Sequence, residues 1–312
     1  MCASPVIATA IKSRRANAMG MMVVSSVAIS FSGLLLRYMH VADPWQINFY
    51  RSIALVIVVS MIMVQRYGRT APQQVYRIGK PGLWAGLMLS GAGITFLQSI
   101  TTTTVANTLF TLSAIPFFTA ALAWVFLKER LNRATLVTML VAALGIVVMV
   151  SGGIGSGSFY GNAMALITAL CFSGYAILVR RHRGIEMLPT LLVSGAIIIS
   201  ISAVLRWGQL VIPLHDIALC FVIGGILSAL CNSLFIAASK HLVAAELTLF
   251  MLLEFSLGPI WVWLFIAEYP SSATIIGGSI VISAVLLRAV GELSRGRIPG
   301  TRHTGKFWRA PH

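Results

Sequence analysis

The chain has 312 residues, of which 58% are hydrophobic and 10% are charged, and its mean hydropathy is +0.90. Soluble globular domains carry about 25% charged residues, so this composition excludes a soluble protein and indicates an integral membrane protein. The formal net charge of +15 would suggest nucleic-acid binding in a soluble protein, but here the basic residues follow membrane topology.

The apolar segments have the length of membrane-spanning helices. A bilayer core about 30 Å thick needs roughly 20 apolar residues per helix, which predicts ten spans joined by short links. The basic "IKSRR" before the first span resembles the start of a secretory signal, but no small-residue cleavage site follows, so we expect a retained first helix. In chain order, the predicted spans lie near residues 18–36, 44–64, 81–98, 103–127, 134–151, 159–179, 187–205, 216–237, 242–267 and 272–290.

Basic residues mark one side of the predicted membrane. If the odd-numbered spans end outside, 20 of the 23 Lys and Arg residues lie inside, and the other three are Arg37, Arg51 and Arg206. The positive-inside rule therefore predicts a multi-pass protein of the cytoplasmic (inner) membrane with both termini in the cytoplasm.

The chain repeats itself after about 140 residues. "FSG" at 31–33 recurs at 172–174, an offset of 141, and "AWVFLKERLNRAT" matches "VWLFIAEYPSSAT" at an offset of 139. Such a repeat holds five spans, and an odd number sends the second copy into the membrane from the opposite side. We therefore predict an all-α integral membrane protein with ten transmembrane helices in two inverted five-helix repeats, 17–151 and 158–290, and a basic cytoplasmic tail over 291–312.

Three features give residues 17–290 a resemblance to a known family. They are the repeated "L-x-E" type of helix end before an apolar span, the Arg in "NFYRSIAL", and "LLEFSLGPIWVWLFIAE". Together they resemble the EamA-type branch of the drug/metabolite transporter superfamily. The resemblance implies that each half is one five-helix repeat and that small metabolites such as amino acids are moved across the cytoplasmic membrane. The chain departs from the family at Phe31, where Trp is frequent, and at Phe255, where Pro is frequent and Pro259 instead follows four residues on.

Isolated polar residues inside the spans are the expected lining of a substrate cavity. Glu254 stands out because an unpaired acid at that depth costs about 2.5–3.5 kcal/mol unless it faces water, finds a partner or is protonated. Each such residue has an alternative role, which is only to hydrogen-bond a neighbouring helix. The predicted substrate-binding residues are Glu254, Asn107, Thr111, Gln98, Tyr175, Asn232 and Glu246.

Other intramembrane residues are expected to have structural roles. Arg51 can snorkel outward, bind an anionic substrate or pair with Asp43, and the sequence favours a structural role. Glu129 and Glu268 are expected to mark matching helix ends. We also expect close helix approach at the glycines and kinks at the in-span prolines, which are Gly82, Gly86, Gly91, Gly93, Gly224, Gly225, Gly277, Gly278, Pro116 and Pro259.

The sequence predicts a secondary transporter that moves an amino acid or amine-like solute by alternating access, and the resemblance favours export. One alternative is a sugar-phosphate or nucleotide-sugar exchanger of the same superfamily, which would need several Lys or Arg in its cavity. An intramembrane enzyme is the other, although the sequence has no H-E-x-x-H or G-x-S-x-G motif. We expect no catalytic residue, cofactor or metal site. The expected partners are a small-molecule substrate and membrane lipid, without nucleic acid, and the oligomeric state is open.

Overall fold

A computed structural model describes residues 5–39, 43–103, 105–129, 132–150, 158–266 and 272–295. Within these ranges the chain is helical and contains no β-strand. A 3₁₀-turn (Gly68–Thr70) and two π-helices (Ala123–Leu127 and Val222–Ser228) interrupt the α-helices. The α-helices are α1 Pro5–Arg37, α2 Pro44–Tyr67, α3 Ala71–Arg77, α4 Gly79–Thr102, α5 Val105–Leu112, α6 Ile115–Leu122, α7 Arg133–Val150, α8 Phe159–Arg181, α9 Thr190–Leu205, α10 Leu214–Phe221, α11 Ala229–Ser239, α12 Ala244–Phe250, α13 Leu252–Ile266 and α14 Ser272–Arg295.

The helices are long and apolar enough for a multi-pass membrane protein. Six helical segments in the described residues have the length and composition to cross a membrane: 14–37, 44–77, 79–102, 159–181, 214–239 and 244–265. Four shorter apolar helices, of 10–17 residues, cover Ile115–Leu127, Arg133–Val148, Thr190–Leu205 and Ile275–Arg288. Each of the ten segments falls on one of the predicted spans.

The predicted fourth and ninth spans are both interrupted. In the fourth, Ser113 and Ala114 form a turn between α5 and α6, and Pro116 lies in the first turn of α6, where its missing N–H costs nothing. In the ninth, a one-residue turn at Met251 separates α12 from α13. The backbone of α13 continues through Pro259, whose side chain lies outside the described residues.

Several of the glycines predicted to allow close helix contacts do so. A Cβ on Gly86 would lie 2.6 Å from Val193 of α9, and one on Gly91 would lie 3.2 Å from the sulfur of Cys171 in α8. The second π-helix comes closest to its neighbour, since a Cβ on Gly224 would lie within 2.8 Å of three backbone atoms of Arg51. These contacts pack α4 on α8 and α9, and the second π-helix on α2.

Polar side chains hold the helix ends together at each end of the bundle. At one end, here called the Arg15 end, Arg15 of α1 and Arg288 of α14 both contact Glu246 of α12. The same end contains an ion pair between Glu129 and Arg180. A Glu129 oxygen also accepts from the backbone N–H of Ala244, 3.3 Å away, so this residue, predicted as an end marker, connects three helix ends.

The opposite end, here called the Asp43 end, has its own ion pair. Asp43 accepts two hydrogen bonds from the guanidinium of Arg206, at 2.9 and 3.1 Å. Asp43 also caps α2: its carboxylate accepts from the N–H of Trp45 while the Gln46 side chain accepts from the Asp43 N–H. The predicted alternative of an Arg51–Asp43 pair is therefore not realised, because Asp43 is bound to Arg206.

Candidate functional site

A cavity of about 200 Å³ lies at mid-height between the two ends of the bundle. Its wall is built from α1, α2, α4, α5, α6, α8, α9, the second π-helix, α11 and α13. Both interruptions described above reach it, through Leu112 and Ile115 on one side and Met251 and Glu254 on the other. The cavity is thus lined by helices from both halves of the chain.

Glu254 lies in the first turn of α13 and forms part of the cavity wall. Its N–H donates to the carbonyl oxygen of Met251 at 3.0 Å, which closes the turn between α12 and α13. Among the residues the structure describes, no side chain forms an ion pair or hydrogen bond with its carboxylate. The carboxylate is therefore available to the cavity.

Asn232 of α11 is the second predicted site residue on the wall. Its amide nitrogen donates to the carbonyl oxygen of Ser228, one turn earlier and 2.8 Å away. This bond fixes the side chain and leaves the amide oxygen as an acceptor for another group.

Hydroxyl groups make up most of the remaining polar wall. Some of them join helices across the cavity edge: the Ser26 hydroxyl donates to the carbonyl oxygen of Phe250 at 2.8 Å, and Cys231 and Ser25 exchange hydrogen bonds. Four phenylalanines supply apolar surface, namely Phe96, Phe172, Phe235 and Phe255. The hydroxyl residues on the wall are Ser25, Ser26, Ser32, Ser52, Thr168, Ser194 and Ser228.

Arg51 also lies on the cavity wall, on α2. Its guanidinium donates to the side-chain oxygen of Asn48, one turn earlier and 3.1 Å away. The cavity therefore contains one basic and one acidic side chain among its described lining residues, and these two form no ion pair with each other.

Gln98 and Thr111 are not among the described residues of the cavity wall. Gln98 is on α4, beyond the wall residue Phe96, and its buried amide nitrogen has no hydrogen-bond partner among the described residues. Thr111 lies beside the wall residue Leu112. The side chain of Asn107 falls outside the described residues.

Tyr175 is fully buried behind the wall. Its ring stacks on Phe235, with centroids 5.8 Å apart and planes at 21°, and it meets Phe172 edge to face at 5.7 Å. Since both phenylalanines line the cavity, Tyr175 supports the aromatic part of the wall from the second layer.

Glu246 is placed at the Arg15 end, where it belongs to a buried ion cluster. Arg15 donates to both of its carboxylate oxygens at 2.8 Å, and Arg288 donates to one of them at 3.1 Å. Arg288 also donates to the hydroxyl of Thr135 on α7. The cluster joins α1, α7, α12 and α14, and it lies between the cavity and that end of the bundle.

The hydroxyl residues of the cavity wall were not identified from the sequence, and the sequence favoured a structural role for Arg51. Serine and threonine inside membrane helices usually bond their own backbone, as Thr168 does with Met164 at 2.8 Å, so their presence alone does not indicate a cavity. Clustering of Ser25, Ser26 and Ser32 along α1 was the available signal.

Comparisons with known proteins agree with this architecture. Residues 16–151 match the model of the EamA-like transporter family. The pseudopaline exporter CntI of Pseudomonas aeruginosa, from strains UCBPP-PA14 and PAO1, is 26% identical to this chain over 249 residues. The match covers 77% of this chain and 84% of the exporter.

A solved crystal structure has the same fold. It superposes with a TM-score of 0.73 and covers 88% of this chain, while 97% of the solved chain is matched. The sequence identity is 18%, so this likeness concerns the fold alone.

Proposed function

We propose that the chain is a transporter of the EamA type and that it exports a small amine-bearing metabolite, such as an amino acid, across the cytoplasmic membrane. The match of residues 16–151 to the EamA-like transporter family and the similarity to an exporter support this proposal. Transport proceeds by alternating access through ten spans in two inverted five-helix repeats. Residues 17–151 and 158–290 are the proposed repeats, and 291–312 form a cytoplasmic tail.

The helix contacts support the inverted repeat. If the two halves are equivalent, a contact between two spans should recur between the two spans that lie five places away. The contact of α4 with α8, the third and sixth spans, corresponds to that of α11 with α1, the eighth and first spans, and both contacts occur. The contact of α6 with α8 corresponds in the same way to that of α13 with α1, which also occurs. The contacts α2–α9 and α7–α14 each join two equivalent spans of the two halves, so each corresponds to itself. A pseudo-twofold axis between the halves accounts for all of these pairs.

The two helix interruptions support the same symmetry. Met251 lies 139 residues after Leu112, the last residue of α5, and 139 is the offset of the second sequence repeat. Both interruptions border the cavity. Inverted-repeat transporters typically form their substrate sites from such discontinuous helices.

The ties at the helix ends support an even number of spans. Arg15 of α1 and Arg288 of α14 share Glu246, which supports placing both termini on the side of the Arg15 end. The predicted inner residues Arg180 and Lys240 lie at this end as well. The positive-inside rule then favours the cytoplasm for the Arg15 end.

The single observation that carries the substrate assignment is the Glu254 carboxylate. It borders the cavity and has no described ion-pair partner, although an unpaired charge at this depth is expensive. An ammonium group on the substrate would supply the missing counter-charge. A phosphate-bearing substrate is less well supported, because Arg51 is the one Lys or Arg among the described wall residues.

Comparative metabolite analysis tests this proposal. The medium of cells that express the protein is compared with that of cells expressing Glu254→Gln and of cells carrying an empty vector. We expect one class of amine-bearing metabolite to accumulate outside only with the unmodified protein. The compound found is then tested in proteoliposomes that contain the purified transporter.

Each other result contradicts part of the proposal. Equal export by Glu254→Gln would make Glu254 a structural residue and remove the basis for the amine. If all three media are the same, the proposed export is wrong.

A further inference from the structure

Arg51 occupies a position that several elements build around it. Its backbone packs closely against the second π-helix at Gly224. A side chain at Gly224 would collide with the Arg51 carbonyl group. Its side chain donates to Asn48 at 3.1 Å. On α4, a Cβ on Gly93 would lie 3.5 Å from a terminal nitrogen of the guanidinium. These contacts hold the guanidinium at the cavity rather than letting it extend to the Asp43 end.

The described acids that form ion pairs all do so with residues other than Arg51. Asp43 pairs with Arg206, Glu129 with Arg180, and Glu246 with Arg15 and Arg288. Those pairs lie at the ends of the bundle. Among the described residues, no carboxylate forms an ion pair with Arg51. A partly buried guanidinium inside the helix bundle is costly without an ion-pair partner, so the arrangement favours a ligand that supplies one.

Arg51 and Glu254 enter the same cavity from opposite ends of the bundle. Arg51 is seven residues along α2 from the Asp43 end, which is about 10 Å at 1.5 Å per residue. Glu254 is ten residues from the start of α12 at the Arg15 end, about 15 Å. In a bilayer core about 30 Å thick, the two charges thus lie at different depths, with Arg51 nearer the Asp43 end.

We propose that Arg51 is a specificity-determining residue that binds a carboxylate of the substrate while Glu254 binds its amine. This inference rests on the proposed function and narrows it to small zwitterions in which both groups are present. The planar guanidinium suits a carboxylate because it donates two parallel hydrogen bonds. The hydrogen bond to Asn48 uses one N–H group of the Arg51 guanidinium and leaves its other N–H groups for the ligand.

Matched sets of compounds test the role of Arg51. Purified protein in proteoliposomes is assayed with the twenty standard amino acids, with the amines that lack their carboxylates, and with the acids that lack their amines. We expect at least one amino acid to be transported about 10–100-fold faster than its amine, the range given by charge-assisted hydrogen bonds. Arg51→Gln should abolish this preference, and Arg51→Lys should retain part of it.

The second variant separates recognition from folding. If Arg51→Gln does not fold, Arg51→Lys tests the role of Arg51 instead. Lysine keeps the positive charge but cannot donate two parallel hydrogen bonds, so the preference for the amino acid over its amine should become smaller. An unmodified protein that moves amines as fast as amino acids would overturn the role of Arg51 and leave the amine-export proposal intact. If no compound in the three sets is transported, the zwitterion assignment is wrong, whereas export itself is judged by the metabolite comparison.

Discussion

The guanidinium of Arg15 donates to both carboxylate oxygens of Glu246 at 2.8 Å, although the two residues are 231 positions apart in the chain. Side-chain exposure is 19% for Arg15 and 6% for Glu246. Together with Arg288, this pair joins α1, α12 and α14 at the Arg15 end. Under the proposed alternating access, this tie has to open when the cavity faces that end.

Removing the carboxylate of this cluster should destabilise the protein. Glu246→Gln removes the charge that Arg15 and Arg288 both contact, and loss of one partner of a buried ion pair costs about 3–5 kcal/mol. Arg206→Gln, which breaks the more exposed pair with Asp43, is the control and should cost less than about 1 kcal/mol. Thermal unfolding in detergent measures both, and equal losses would contradict the structural importance of the cluster.

Glu254→Gln should behave in the opposite way. Because no described group pairs with Glu254, a neutral side chain of the same shape removes a desolvation penalty and no ion pair. We expect the free energy of unfolding to stay within about 1 kcal/mol of the original value or to rise. A fall in melting temperature as large as that of Glu246→Gln would reveal a structural contact of Glu254.

Gly224→Ala should weaken the contact of the second π-helix with α2. The added Cβ would overlap the carbonyl oxygen of Arg51, and a backbone atom yields less easily than the end of a flexible side chain. Overpacking of this kind costs about 1–3 kcal/mol. The matched control is Gly33→Ala in α1, where nothing lies within 4 Å of the added atom. Similar yields and melting temperatures for the two variants would refute the close approach.

Trp261 should stabilise the packing of α13 on α1 through two separable contacts. Its ring stacks on Phe31 with centroids 4.2 Å apart, and its indole N–H donates to the Ser30 hydroxyl at 2.7 Å. Trp261→Phe keeps the stacking and should cost about 1 kcal/mol for the hydrogen bond, whereas Trp261→Ala should cost about 3–5 kcal/mol. Thermal unfolding should show a larger loss of stability for Trp261→Ala than for Trp261→Phe. The control Trp84→Phe, at a position that is 57% exposed, should leave the stability unchanged.

The general architecture could be predicted from the sequence because membrane helices have a simple signal. Length and apolarity located the helices, and Glu254 was recognisable as a lone acid in an apolar segment. The turn at Met251 carries no such signal, because neither proline nor glycine marks it. It is defined by the packing of α12 and α13 against other helices, which one segment of sequence does not contain.

The role of Arg51 depended on contacts that are distant in the chain. From sequence, Asp43 was an available partner at the same end of α2, and only the structure shows that Arg206, 163 residues further on, takes that partner. Glu246 illustrates the reverse case. Its place inside a span suggested a substrate contact, but Arg15 and Arg288 approach it from helices at both ends of the chain.

The π-helix at Val222–Ser228 has a consequence for comparing this chain with its relatives. A π-type turn is equivalent to one residue inserted into an α-helix, and one residue corresponds to a rotation of about 100°. Cys231, Asn232 and Phe235 follow this turn and face the cavity. A homologue with a regular helix here would therefore need a one-residue alignment gap near Gly224 for equivalent side chains to coincide. An ungapped alignment would assign its cavity-facing positions to the wrong residues from that point to the end of the helix.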